Sequence, residues 1–344
     1  MTAAGISRDN HYVPQAYLRR WADADQRVWT YRVLVSHPEV PLWRRVRARG
    51  IAYREYLYTR IVAGHDSDDF ERWLDEEFET PAQDAIARAV SGRHMSYDHW
   101  QALIRYAFAQ NQRTPARMTE ILRRQQDTFP EIAQDTLRRA VRMLEEKSAN
   151  PDAPRASPRI DATGLPVRVR REPGPDASKE RLHLEALVGR SSWLWGLRQL
   201  LTTSIAKAPK YDWTILQCPP GRSWITSDDP VVRLNFYRDG RYDFRGGWGR
   251  RGTEILFPLS PSALLYTQVG KKPPRQKTAS VVQVDRLNWI LAKHASRLVF
   301  AQEPTDWVRA VRPRTVDRAA FNEEQKAWAQ WHRVQSDAEQ EFGM

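Results

Sequence analysis

The spacing of apolar residues changes character near residue 206, and this constrains the fold more than any single motif. Before that point apolar residues recur every three or four positions. Phe70, Trp73, Leu74 and Phe78 form one stripe, and Trp100, Leu103, Ile104, Ala107 and Phe108 another. Such spacing puts them on one face of a helix. After that point come short runs separated by Gly and Pro, as at Val231 to Tyr237, Glu254 to Pro258 and Ala263 to Val269. These read as strands. Helices followed by strands argue for an α+β fold. The expected order is N-terminal short strands and a helical bundle, then a mainly antiparallel β region and a C-terminal helix.

Local signals add boundaries. Pro14 suits the first turn of a helix over Gln15 to Ala22, and Arg27 to Val33 alternates as a strand does. Short strands are expected at Leu42 to Arg49 and Ala52 to Tyr58. Asp66 or Ser67 would cap a helix to Phe78, and Thr80-Pro81 would restart it. Ser96 to Gln112 is the next helix, Thr114-Pro115 opens another, and Ile132 to Lys147 reads as a further one. Ser148 to Arg181 holds six prolines and reads as a loop, with a short strand at Val167 to Val169. Glu180 to Ala206 reads as a long helix. Strands are also expected at Asp212 to Gln217, Ser223 to Thr226 and Leu298 to Ala301, with a helix at Asp285 to Ser296 between the last two. Asp317 to Phe342 is a terminal amphipathic helix, expected to dock on the body or on a partner.

Composition limits the function classes. The 344 residues carry a formal net charge of +12, nearly all of the basic residues being arginine. A basic excess points to nucleic acid or another polyanion as partner, although the basic residues are scattered and a solvated basic surface is the plain alternative. Cys218 is the only cysteine, which excludes an internal disulfide framework and a zinc ribbon. No apolar run approaches the roughly 18 residues needed to cross a bilayer, and the N-terminus lacks the apolar region of a signal peptide. No membrane association and a cytoplasmic location are therefore expected. Gly246 to Gly252 lacks the Walker Lys-Ser/Thr and the strand–GxGxxG–helix setting, so no nucleotide or redox cofactor is indicated.

Several segments taken in order carry a resemblance. They are His11-Tyr-Val-Pro-Gln, Val28-Trp-Thr-Tyr, Arg113-Thr-Pro, Thr226-Ser-Asp-Asp-Pro, Phe257-Pro-Leu-Ser-Pro, and Asn288 with Arg297-Leu-Val-Phe-Ala. Together they resemble the bacterial domain of unknown function 4238 family. The resemblance implies one α+β domain over residues 8–302, with the Pro-rich loop at 148–181 inside it and residues 317–342 as a C-terminal extension. It implies no activity.

The candidate site residues lie in or near those segments. His11 follows Asp9-Asn10, and a neutral imidazole serves as metal ligand or general base; a buried structural histidine is the alternative. Its His-x-x-Pro text is similar to the opening of HNH nucleases, but the Asn and second His expected after a hairpin are not evident. Ser227, Asp228 and Asp229 precede Pro230, which forces Asp229 to be extended, so the two carboxylates should diverge. They would hold Mg²⁺ or Mn²⁺, or form an ordinary turn. Arg113 lies just before a helix cap, where an anion would be favoured, with Gln15, Gln112 and Ser227 as neutral substrate-binding groups. An internal salt bridge from Arg113 to Glu79 or Asp228 is the competing reading. Glu79 would be a ligand or base, or part of a solvated acidic run.

Three functions fit these residues. The first is a metal-dependent phosphodiesterase or nuclease with His11, Arg113 and Asp228 as catalytic groups and His11, Asp228, Asp229 and Glu79 around the metal. The second is a non-catalytic nucleic-acid-binding or regulatory protein, in which the same polar groups define the fold. The third is an enzyme acting on an anionic small molecule. Convergence of His11, Arg113 and Asp228 in one cleft would favour an enzyme.

Overall fold

A computed structural model describes residues 6–62, 65–149, 166–174, 180–205, 212–237 and 239–343. The fold is α+β with mainly antiparallel sheets and a C-terminal helix. A six-stranded sheet has the order Tyr242–Asp243, Val232–Phe236, Glu254–Pro258, Ala263–Gln268, Thr214–Gln217, Gln276–Thr278, and only its last pair is parallel. A four-stranded antiparallel sheet has the order Thr226–Ser227, Leu298–Ala301, Arg27–Arg32, Trp43–Arg47. This second sheet joins the chain's first and last thirds: Tyr31 lies opposite Val299, and Ser227 opposite the same residue on the other side.

Two apolar cores result. One gathers Tyr17, Trp21, Phe78, Leu103, Trp193 and Phe257. The other packs Trp224, Leu234 and Leu264 against Leu287 and Leu291 of the helix Val281–His294. Polar tips stitch the short N-terminal helix to the later strands. The Tyr17 hydroxyl donates to the Pro258 carbonyl at 2.7 Å, and Trp21 Nε1 donates to the Trp224 carbonyl at 2.8 Å. A buried phenol or indole needs such a partner.

Several expectations hold closely. Strands Glu254–Pro258 and Leu298–Ala301 have the expected ends. Ser96 caps the helix Tyr97–Gln112 by accepting the His99 N–H. Thr114 caps the next helix by accepting the Arg117 N–H.

Other expectations are corrected. Residues 180–206 are not one helix. Glu180–Ala186 is a strand paired with Val167–Pro173, and Gly189 precedes the helix Arg190–Gln199. The cause is a period-two run, in which Arg181 and His183 are exposed while Leu182 and Leu184 are half-buried. The paired strand also replaces part of the expected loop, and residues 150–165 and 175–179 lie outside the described residues. The expected helix from Asp66 begins instead at Asp69, because His65–Ser67 pairs with Arg60–Val62. Thr80 does not cap a new helix. A π-type turn at Asp75–Glu79 carries the chain through it, widening the backbone ahead of Pro81, which has no N–H to give. Ile132 to Lys147 is not separate either, since one helix runs from Pro115 to Ala149 with Pro130 inside it.

Candidate functional site

Arg113 ends the helix Tyr97–Gln112, and its buried guanidinium faces three ways. It pairs with Glu79, donates through Nε to the Tyr58 hydroxyl at 3.2 Å, and donates to the His11 carbonyl at 2.7 Å. Tyr58 in turn donates to the Arg113 carbonyl at 2.9 Å. Burial works to lower the Arg113 pKa, but Tyr58 and Glu79 together hold it above the ordinary arginine value. This is the internal salt bridge weighed above, and it leaves the guanidinium 3 % exposed. Arg113 thus fixes the His11-Tyr12 backbone from behind and does not face solvent as an anion clamp.

His11 lies on the strand Asp9–His11, paired with Tyr53–Glu55. Gln15 Nε2 approaches its Nδ1 at 3.5 Å, and its Nε2 is buried without a hydrogen bond. Burial lowers its pKa, so the neutral ring is favoured. Gln112 is buried and donates to Asn111 at 3.0 Å. Neither Gln15 nor Gln112 lines a cleft described below.

The two aspartates diverge as their proline neighbour requires. Asp228 accepts the backbone N–H of Ser296 at 2.9 Å and of Arg297 at 2.7 Å. Burial raises its pKa to about 6, with Asp229 adding to the rise against those two N–H donors. Asp229 turns the other way, accepting from the Thr114 hydroxyl at 3.1 Å and lying 3.7 Å from His294 Nε2. Ser227 Oγ accepts the Asp229 N–H at 3.2 Å. Among the described residues, no three His, Cys, Asp or Glu side chains gather as a ligand set for a metal ion.

Asp228 opens onto a small pocket of about 180 Å³ that it shares with Tyr12, Arg54, Pro115 and Arg297. A larger cleft of about 530 Å³ shares Tyr12, Arg54 and Arg297 with it and adds Arg32 and Arg44. The strand carrying Arg54 is bracketed by Ala52 and Tyr56, both at φ 54. Non-glycine residues in that left-handed region carry strain and are uncommon outside sites that need it. The terminal helix Arg318–Phe342 forms the opposite wall. Its Glu324 accepts from Arg297 Nε at 2.6 Å and lies 4.0 Å from Arg54, and its Trp328 ring lies 4.6 Å from the Arg54 guanidinium carbon.

His11, Arg113 and Asp228 therefore converge only in part. Arg113 grips His11 by its carbonyl, while Asp228 reaches the pocket beside Tyr12. Glu79 faces inward as the Arg113 partner. The residues not anticipated are Tyr12, Arg54, Arg297 and Glu324. Arg297 stands in the Arg-Leu-Val-Phe-Ala segment and could have been singled out there, but Arg54 and Glu324 carry no local signal.

The fold and this site define an α+β protein with an arginine-lined cleft beside a buried carboxyl. The chain belongs to the family described as protein of unknown function (DUF4238), whose model matches residues 9–305. No curated protein and no solved structure matches it. No helix among the described residues is long and apolar enough to cross a membrane.

Proposed function

We propose that the protein acts on a phosphate-bearing ligand, a phosphodiester being the class that suits its charge. Arg54 and Arg297 would hold the phosphate, and the Asp228 carboxylate would take the proton of a water that attacks phosphorus as the P–O bond to the leaving alkoxide breaks. The observation that supports this most is the meeting of Tyr12, Pro115, Asp228 and Arg297, from four separate motif segments, at one pocket with Arg54. Arginine presents paired N–H donors that match phosphate oxygens. A carboxyl with pKa near 6 gives or takes a proton close to neutrality. His11, Arg113 and Glu79 are positioning residues for the Tyr12 segment. Asp228 is no ligand set by itself, so Mg²⁺ or Mn²⁺ would belong to this proposal only as an ion brought in with the ligand's own phosphate oxygens.

Hydrolysis of bis(p-nitrophenyl) phosphate, with and without Mg²⁺ or Mn²⁺, tests it. Asp228→Asn should lower kcat by about 100-fold or more, and Arg54→Gln should act mainly on KM. Turnover by Asp228→Asn equal to wild type sinks the assignment.

Non-catalytic nucleic-acid binding is the second reading, favoured by a different observation. A cleft of about 980 Å³ is lined by Trp73, Trp100 and Trp248, with Arg93, Arg105 and Arg275 beside them. Aromatic faces and arginines together suit single-stranded nucleic acid. Binding of a fluorescent single-stranded oligonucleotide that weakens with salt, and weakens again in Trp248→Ala, is expected in that case. Salt-independent binding counts against it.

A further inference from the structure

We propose that the terminal helix is a built-in stopper for the arginine cleft, in which Glu324 takes the place of the ligand's phosphate between Arg54 and Arg297. This rests on reading the cleft as a phosphate site. Both arginines lie within the residues that the family model matches, whereas Glu324 lies beyond them. The family domain thus presents cations whose counter-ion comes from a segment outside it.

The charges in the cleft are unbalanced. Arg32, Arg44, Arg54 and Arg297 line it together with two carboxylates, Glu55 and Glu324. Glu55 is taken by Arg8 at 2.8 Å. Glu324 is left to serve Arg54 and Arg297, while Arg32 and Arg44 have no ion pair among the described residues. Arg54 Nε is buried without a hydrogen bond, so a donor remains unspent beside Glu324. One carboxylate offers a single charge and two oxygens, as a phosphodiester does, so the two can exchange places, whereas pyrophosphate offers more of both and uses charge-assisted bonds of the same kind. Tethering gives Glu324 a high effective concentration, so a free anion must compete with it.

The stopper has its own anchor. Glu339, fifteen positions further along the helix by its numbering, accepts from Arg190 Nε at 3.1 Å and from a second Arg190 nitrogen at 2.5 Å. Gln335 also accepts the Arg190 backbone N–H at 2.6 Å. The helix therefore stays docked when the Glu324 charge alone is removed. Glu324→Gln keeps the shape, and its close partner Arg297, 45 % exposed, stays solvated when the charge is lost.

The experiment is calorimetric titration of inorganic pyrophosphate into the full chain, with circular dichroism as the check on folding. Wild type is compared with Glu324→Gln, Arg54→Gln, and the double variant Glu324→Gln/Arg54→Gln. Glu324→Gln should bind about tenfold more tightly, as expected if about a tenth of wild-type molecules have the cleft free. The double variant should lose that gain. Equal binding by wild type and Glu324→Gln, lost in Arg54→Gln, overturns the stopper and leaves the phosphate site standing. A gain that survives in the double variant also overturns the stopper, because the anion is then held elsewhere. No binding by wild type or Glu324→Gln overturns the phosphate site and the stopper together.

Discussion

The backbone N–H of Arg297 donates to Asp228 at 2.7 Å, while the guanidinium of the same residue turns to Glu324 at 2.6 Å. One residue thus joins the buried carboxyl of the motif segment to the helix that walls the cleft. A mutation of the Arg297 side chain leaves the bond to Asp228 in place, so charge and scaffold are separable at this position.

Asp228 should make stability depend on pH in a particular direction. Its folded pKa is raised from 3.8 to about 6, so the folded state holds the proton more tightly than the unfolded chain. The stability from that proton is fully present below about 3.8 and is lost as pH rises through about 6. The window is worth at most about 3 kcal/mol. Denaturant unfolding of wild type and Asp228→Asn at several pH values checks this. The wild-type advantage, or the smallness of its deficit, should shrink from pH 4 to pH 7. A constant difference across that range would show that Asp228 titrates normally.

Arg113 should prove structural at the first mutation. Its guanidinium ties Glu79, Tyr58 and the His11 carbonyl together inside the first core. Removing one partner of a buried pair strands the other, at a cost of about 3–5 kcal/mol. Arg113→Ala should lower stability by that amount in urea. Arg113→Lys should recover only part of it, because an ammonium cannot reproduce the planar fork. A loss below about 1 kcal/mol for Arg113→Ala would mean that the cluster is held by other bonds.

The elements that were legible from sequence are those whose cause is local. Ser96 and Thr114 cap helices by bonds to N–H groups three residues away. The strand Glu254–Pro258 is an apolar run between turn residues, and it is buried throughout. Glu180–Ala186 reads as helix because leucines at 184 and 187 suit a helical stripe, but pairing with Val167–Pro173 makes it a strand. Of the candidate site, the divergence of Asp228 from Asp229 follows from Pro230, whereas the sequence leaves Arg113 open between an anion site and a salt bridge to Glu79 or Asp228. The cleft could not be read in advance. Arg54 meets Glu324 across 270 positions, and in an arginine-rich chain no single arginine stands out until the fold selects it.

Pro130 offers a test of the long helix. It lies exposed within Pro115–Ala149, where it cannot donate to the helical ladder. A proline in a helix interior costs about 3 kcal/mol relative to alanine. Pro130→Ala should therefore raise the helical signal of the distal half and slow amide exchange there. Much of that half is solvent-exposed, so the global melting temperature should rise much less than the local stability. Unchanged exchange around residue 130 would show that the helix already absorbs the proline at little cost.

The final prediction concerns the anchor of the terminal helix. Arg190 is fully buried, and its guanidinium meets both oxygens of Glu339, the Ser336 hydroxyl and a ring nitrogen of His332. Every one of those partners is on the terminal helix. Glu339→Gln keeps the size of the side chain but takes the counter-charge from a buried cation, and a cost of about 3–5 kcal/mol is expected. The loss should fall first on docking, since the helix Arg318–Phe342 is otherwise held by half-buried contacts such as Trp328 and Trp331. Limited proteolysis should then cut within residues 318–343 well before the body, and faster than in wild type. Asp239→Asn, which breaks an exposed pair with Arg241, serves as the control and should cost under about 1 kcal/mol. If Glu339→Gln and Asp239→Asn are cleaved alike, Arg190 does not anchor the helix. The difference in burial between the two pairs, and not their similar distances of 2.5 and 2.6 Å, is what should separate them.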